Sequence, residues 1–192
     1  MKVQIGISNR HVHLTDEHLK KLFGKNYKLE NVKDLNQPGQ FVSNSKVMIK
    51  TLKGEINDVR VVGPTRDYTQ VEISRTDAIK LGLNPPVRKS GDLIGSSPIT
   101  LIGPRGIVDL EYGCIIADRH IHITPKQKEV YGLSNYDKVT VVLQGEKGGT
   151  IGNVSLKVSE ESYFELHLDT DDANAHLVRN GDLAIIIEGE DL

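Results

Sequence analysis

Apolar residues in this chain come in short runs rich in valine and isoleucine, broken by glycine, proline or charge. Runs of this length and composition predict strands rather than helices. Eleven are expected, over residues 3–7, 46–52, 56–62, 70–74, 99–102, 107–110, 114–117, 138–143, 151–158, 164–168 and 183–187. Lys53-Gly54, Gly63-Pro64, Gly103-Pro104-Arg105-Gly106 and Gly148-Gly149 supply the turns between them. Many short strands at this spacing favour closed or nearly closed barrels over a parallel sheet.

Four short helices interrupt the strands. Thr15 caps a segment over 16–23 that Gly24 ends, and Thr124 caps one that opens at Pro125 and ends at Gly132. A third opens at Ser74 or Thr76 and stops at Gly82; the fourth begins near Thr170 and stops at Asn180-Gly181. The stretches 36–41 and 84–92 read as loops in which basic and small residues sit together, a composition that suits a phosphate.

The helices do not fall at random. Those capped by Thr15 and Thr124 follow two octapeptides that read as copies of one another, Ser8-Asn9-Arg10-His11-Val12-His13-Leu14-Thr15 and Ala117-Asp118-Arg119-His120-Ile121-His122-Ile123-Thr124. In a strand, residues i and i+2 share a face, about 6–7 Å apart. Each His-X-His therefore presents two imidazoles together, two-thirds of a metal site. A single such pair is usually just two histidines on a half-exposed strand; its repetition is what points to ligands. The other two helices follow a second repeated pair, Val71-Glu72-Ile73 and Leu166-His167-Leu168, each an apolar–ligand–apolar strand end. Laid over one another they supply a third ligand to each copy. The chain thus reads as a tandem repeat with two equivalent sites, His11/His13/Glu72 and His120/His122/His167. Three protein ligands with an open position is the catalytic pattern for zinc.

Composition changes little. At 192 residues, with 38 % hydrophobic and 26 % charged residues, the chain is an ordinary globular sequence of one large or two small domains. A net charge of −2 makes no global case for nucleic acid or an anionic membrane, and no apolar run approaches a membrane span. Cys114 is the only cysteine; it lies in an apolar run and reads as a buried small hydrophobe suited to a reducing cytoplasm. The lack of a low-complexity linker places the boundary between the halves near Asp118.

With these motifs in hand, the chain resembles the PduL-type phosphotransacylases, or phosphate propanoyltransferases. The resemblance runs in order through 8–14, 33–41, Gly63-Pro64-Thr65-Arg66, Gln70-Val71-Glu72-Ile73-Ser74, 87–91, Arg119-His120-Ile121-His122 and 167–175. It implies a mainly β protein with short helices (α+β): two small, internally repeated β-barrels capped by helices. The first would cover 9–118, and the second 119–192 plus the N-terminal strand 1–8. It implies two Zn2+ per chain between the barrels, on the two ligand sets already read. The family's phosphate-binding arginine maps onto Arg66, with Ser90 nearby, and its coenzyme A contacts onto Ser8, Lys33, Arg60 and Asn174. The implied partners are acyl-CoA and inorganic phosphate, exchanged on a propanoyl or acetyl group by direct phosphate attack. No nucleic acid or membrane partner is expected, and a homodimer is. Family members of bacterial microcompartments carry an extra N-terminal segment; this chain starts at its first strand, so a free cytoplasmic location is expected, with the microcompartment lumen as the alternative.

Two other readings compete. His11-Val12-His13 followed by Glu17 and Gly24 approximates the first motif of cupin-type mononuclear oxygenases, although the second copy has Lys126 in place of that Glu. The metals would otherwise serve only to stabilise the barrels of a non-catalytic binding module.

Overall fold

The structure is a computed structural model, and it describes residues 1–187. Its elements run as two successive sets. The first set is β1 (Lys2–Ser8), β2 (His11–His13), α1 (Asp16–Phe23), β3 (Asn31–Asp34), β4 (Phe41–Lys50), β5 (Glu55–Gly63), β6 (Gln70–Glu72), α2 (Arg75–Leu81), β7 (Val87–Arg88) and β8 (Ser97–Ile102). The second is β9 (Ile107–Ala117), β10 (His120–Ile123), α3 (Pro125–Val130), β11 (Lys138–Leu143), β12 (Gly149–Val158), β13 (Glu165–Asp169), α4 (Thr170–His176) and β14 (Leu183–Ile187).

The chain divides into two compact units, Arg10–Ala117 and a unit joining residues 1–9 to the chain from Asp118 onward. In the second, six strands close in the order β1-β13-β10-β12-β11-β14. The first closes the same way: β9, β6, β2, β5, β4 and β8 pair in turn, and β8 returns to β9, with β3 and β7 added outside the ring. The pairing senses also repeat. The His-X-His strand runs parallel to one neighbour (β2 with β5, β10 with β12) and antiparallel to the strand of the third ligand (β2 with β6, β10 with β13).

One strand in each set sits in the other ring. β1 precedes β2 in the chain, yet it pairs with β13 and β14; β9 precedes β10, yet it pairs with β6 and β8. Each repeat therefore lends its first strand to the barrel of the other.

Alternation explains the cores. β4 buries Ser43, Ser45, Val47 and Ile49, every second residue, and β11 buries Val139, Val141 and Leu143. These residues fill two separate apolar clusters, one per barrel: Leu14, Leu22, Ile49 and Leu101 anchor the first, Ile5, Ile121, Leu133 and Leu166 the second. Cys114 lies fully buried in the first, where burial pushes its thiol up to about 12.

Several expectations needed adjustment. Residues 107–117 form one strand, because Gly113 takes a positive φ of 136° and bends β9 at a register shift instead of ending it. β4 starts at Phe41, inside a stretch read as loop, and β3 pairs along it. Helix α4 stops at Leu177, which adopts a left-handed conformation, ahead of the Asn180-Gly181 signal. Helix α3, by contrast, stops as expected: Tyr131 caps it and Gly132 follows at a left-handed φ of 71°.

Candidate metal centres and anion site

Two groups of side chains converge within the described residues: His11, His13 and Glu72 in one barrel, His120, His122 and His167 in the other, each with ligand atoms inside 4.8 Å of one another. Register brings them together. His11 lies directly opposite Glu72 across β2 and β6, and His120 opposite His167 across β10 and β13. Opposed residues share a face with Cβ atoms about 5 Å apart, so the third ligand reaches the first by strand pairing alone. The second histidine follows by the two-residue period.

The imidazoles are turned for ligation. His13 Nδ1 meets Val62 O at 3.3 Å and His120 Nδ1 meets Asp118 O at 2.9 Å. A carbonyl only accepts, so each Nδ1 carries the proton and each Nε2 keeps its lone pair. Those Nε2 atoms lie 3.2 Å from Nε2 of His11 and of His122 respectively. Two nitrogens at zinc-ligand distance on a tetrahedral ion stand about 3.3 Å apart. The donor set therefore fits a Zn2+ ion in both barrels. Burial first, then Coulombic repulsion from the side of His120, His167 and Lys157, pushes His122 down to about 2. Its imidazole is neutral throughout the physiological range.

Arg66 stands beside the first cluster. Its Nη1 donates to Tyr68 Oη and Ser90 Oγ, both at 3.3 Å, and its Nη2 to Gln40 Oε1 at 3.3 Å. Ser90 Oγ also accepts from Gln70 Nε2 at 2.9 Å, and the same amide nitrogen donates to Glu72 Oε1. A continuous chain of side chains, Arg66–Ser90–Gln70–Glu72, thus joins the guanidinium to the carboxylate of the first cluster. Both residues read as phosphate-binding from the family motif stand on this chain. Gln40 and Gln70 escaped sequence reading. Gln70 could have been found, since it lies two residues before Glu72 on the same strand face.

The four residues mapped as coenzyme A contacts are divided between the barrels. Arg60 lies on β5 opposite His11 and donates from Nη1 to Ser43 O at 3.0 Å; Lys33 is exposed on β3. Ser8 ends β1 opposite Asp169, the cap of α4, and Asn174 is exposed on that helix. Glu17, which the oxygenase reading needed as a ligand, is exposed in the first turn of α1 and belongs to neither cluster.

An aligned pair of ion clamps accompanies the clusters. Arg10 Nε donates to Asp77 Oδ2 at 2.7 Å, tying the start of β2 to α2. Arg119 holds Asp172 by two contacts, Nε to Oδ2 at 2.6 Å and Nη2 to Oδ1 at 2.7 Å, tying the start of β10 to α4. Each clamp links the strand of the histidine pair to the helix that follows the third ligand.

Two six-stranded barrels of one topology, each presenting a histidine-rich triad and one flanked by a fixed arginine, define a duplicated barrel protein with two candidate metal centres. Comparison with known proteins gives this class a family. The model of the phosphate propanoyltransferase family matches residues 4–179. A phosphate propanoyltransferase of Thermotoga maritima is 51 % identical over 96 % of this chain and 88 % of its own length. Those of Priestia megaterium (48 %, over 96 % and 85 %) and Lachnoclostridium phytofermentans (44 %, over 96 % and 87 %) are also similar. The chain belongs to the phosphate propanoyltransferase family and is an enzyme of the acyltransferase class. No helix among the described residues is long and apolar enough to cross a membrane.

Proposed function

We propose that the protein exchanges coenzyme A for inorganic phosphate on a short acyl group, propanoyl or acetyl, by direct attack of phosphate on the thioester carbonyl. The observation that carries this reading is the hydrogen-bonded chain from Arg66 through Ser90 and Gln70 to Glu72. It couples an anion-binding group to a metal ligand inside one barrel, as a reaction between an oxyanion and a metal-activated partner requires. The names of the similar proteins point the same way.

Arg66 offers a planar fork for two phosphate oxygens, and its contacts to Gln40, Tyr68 and Ser90 hold that fork before any anion arrives. Ser90 Oγ accepts from two donors, so its own proton is left for the phosphate. Orienting the anion in this way removes much of the entropic barrier to attack. The P–O–C bond forms as the C–S bond breaks, and the sulfur leaves as the thiolate of coenzyme A. Zn2+ held by either triad would supply Lewis-acid stabilisation of the developing charge and a site for thiolate sulfur. Arg60, Lys33, Ser8 and Asn174 are assigned to coenzyme A, and the protein is assigned to the cytoplasm as a homodimer.

The test is thiol release from acetyl-, propanoyl- and butanoyl-CoA by zinc-replete protein, with and without phosphate. Release that depends on phosphate and yields acyl phosphate is expected, fastest with one of the two shorter groups. Equal release without phosphate would make the protein a thioesterase and discard the reading.

A further inference from the structure

Each barrel carries a second polar side chain two residues before the third ligand, and the two differ. In the first it is Gln70, opposite His13, with its amide nitrogen on Glu72 Oε1. In the second it is Glu165, opposite His122, with Oε2 2.8 Å from His167 Nε2. Strand geometry repeats the placement, because positions i and i+2 share a face. The chemistry is inverted: an amide accompanies the carboxylate ligand, and a carboxylate accompanies the imidazole ligand.

Both side chains are deeply enclosed, Gln70 at 0 % and Glu165 at 5 % exposure. A Cβ on Gly6 of the neighbouring β1 would come within 2.8 Å of Glu165 Cδ, so the carboxyl group fills the room that a glycine leaves. Polar groups at that depth cost free energy unless matched. Gln70 supplies the N–H that a carboxylate needs on one oxygen, leaving Oε2 of Glu72 turned toward His11 at 3.6 Å. Glu165 supplies the acceptor that an imidazole N–H needs, so the ring can offer only its other nitrogen while that bond is kept. Each triad together with its companion thereby contains one carboxylate. A divalent ion would bring both barrels to the same net charge.

We propose that Gln70 and Glu165 are positioning residues, each matched in chemistry to the third ligand beside it, and that they set the orientation of Glu72 and His167. This rests on the metal-binding reading above. Outer partners of this kind are commonly worth 10–100-fold in metal affinity.

The experiment exchanges the pairs. In the full-length chain with His11→Ala and His13→Ala, Co2+ is titrated against a chelator and its visible spectrum recorded, with a thermal melt to establish folding. Glu165→Ala should weaken Co2+ binding by about 10–100-fold and shift the spectrum. His167→Glu alone should bind poorly, because it sets two buried carboxylates together. Glu165→Gln with His167→Glu rebuilds the Gln70–Glu72 pair and should recover binding to within about tenfold of the parent. The mirror set, Gln70→Glu alone and with Glu72→His in a His120→Ala, His122→Ala chain, covers any Glu165 variant that does not fold. Unchanged binding in Glu165→Ala, or a double variant no better than His167→Glu alone, overturns the proposal. If the unaltered protein retains neither Co2+ nor Zn2+, the metal reading falls first and this proposal with it.

Discussion

Arg66 gives two nitrogens to three acceptors, Gln40, Tyr68 and Ser90, so removing it disturbs a polar lattice as well as a charge. Arg66→Ala should stay folded and keep its metal. Steady-state assays at subsaturating phosphate should show a rate lower by roughly two orders of magnitude, equivalent to about 2–4 kcal/mol. Arg66→Lys should recover only part, since an ammonium cannot make the two-pronged contact. His122 gives a second test. Burial holds its folded-state value down to about 2, far below the ordinary 6.5 of an imidazole, so below pH 6.5 the unfolded chain binds a proton that the native chain refuses. Metal-free protein should therefore lose stability as pH falls from about 6.5, read as a falling urea midpoint between pH 7 and 5. His122→Gln should flatten that slope. At this scale the convergence of the two triads was legible because a two-residue period and a repeat both mark them. Gln40 was not, since its partner Arg66 lies 26 residues away; Glu165, two residues before His167, carried the same signal as Gln70.

Helix starts were more legible than helix ends or long strands. Thr15, Ser74, Thr124 and Asp169 each accept from a backbone N–H three residues on; the sequence named Thr15 and Thr124, left Ser74 beside Thr76, and placed the fourth start only near Thr170. The end of α4 and the continuity of β9 depend on a left-handed Leu177 and a positive-φ Gly113, backbone conformations that the hydrophobic pattern does not encode. The Arg–Asp clamps lie between these cases: both arginines stand in the repeated octapeptides, yet their partners are 67 and 53 residues away. The clamps should differ in cost. Asp77 is 5 % exposed and Asp172 is 21 % exposed at the side chain, so Arg10→Ala strands the more deeply buried carboxylate. Denaturant unfolding should show Arg10→Ala losing about 2–3 kcal/mol and Arg119→Ala less. Equal losses would mean that Asp77 finds another partner.

Over the whole molecule, the duplicated barrel was foreshadowed by the paired motifs and the family resemblance already put strand 1–8 with the second half, whereas the pairing partners of β1 and β9 needed the structure. Protein purified without chelator should carry close to two equivalents of zinc by elemental analysis, and His120→Ala should lose one while the His11 cluster stays filled. The lending of β1 and β9 also has a consequence for how the protein is made. All strands of the barrel within Arg10–Ala117 have been synthesised before β10 begins, so that ring can close while the ribosome is still working. β1 has the opposite fate. Gln4 waits for Glu165, about 160 residues later, and at ordinary translation speeds that is about 8–30 s. For that interval the earliest strand of the described fold has unsatisfied edges beside an already finished neighbour, a natural target for a holding chaperone. Ribosome-bound chains arrested with residue 150 just outside the exit tunnel should resist protease across 10–117 and be cut within 1–9. Protection of both segments at that length would show that β1 finds a temporary partner.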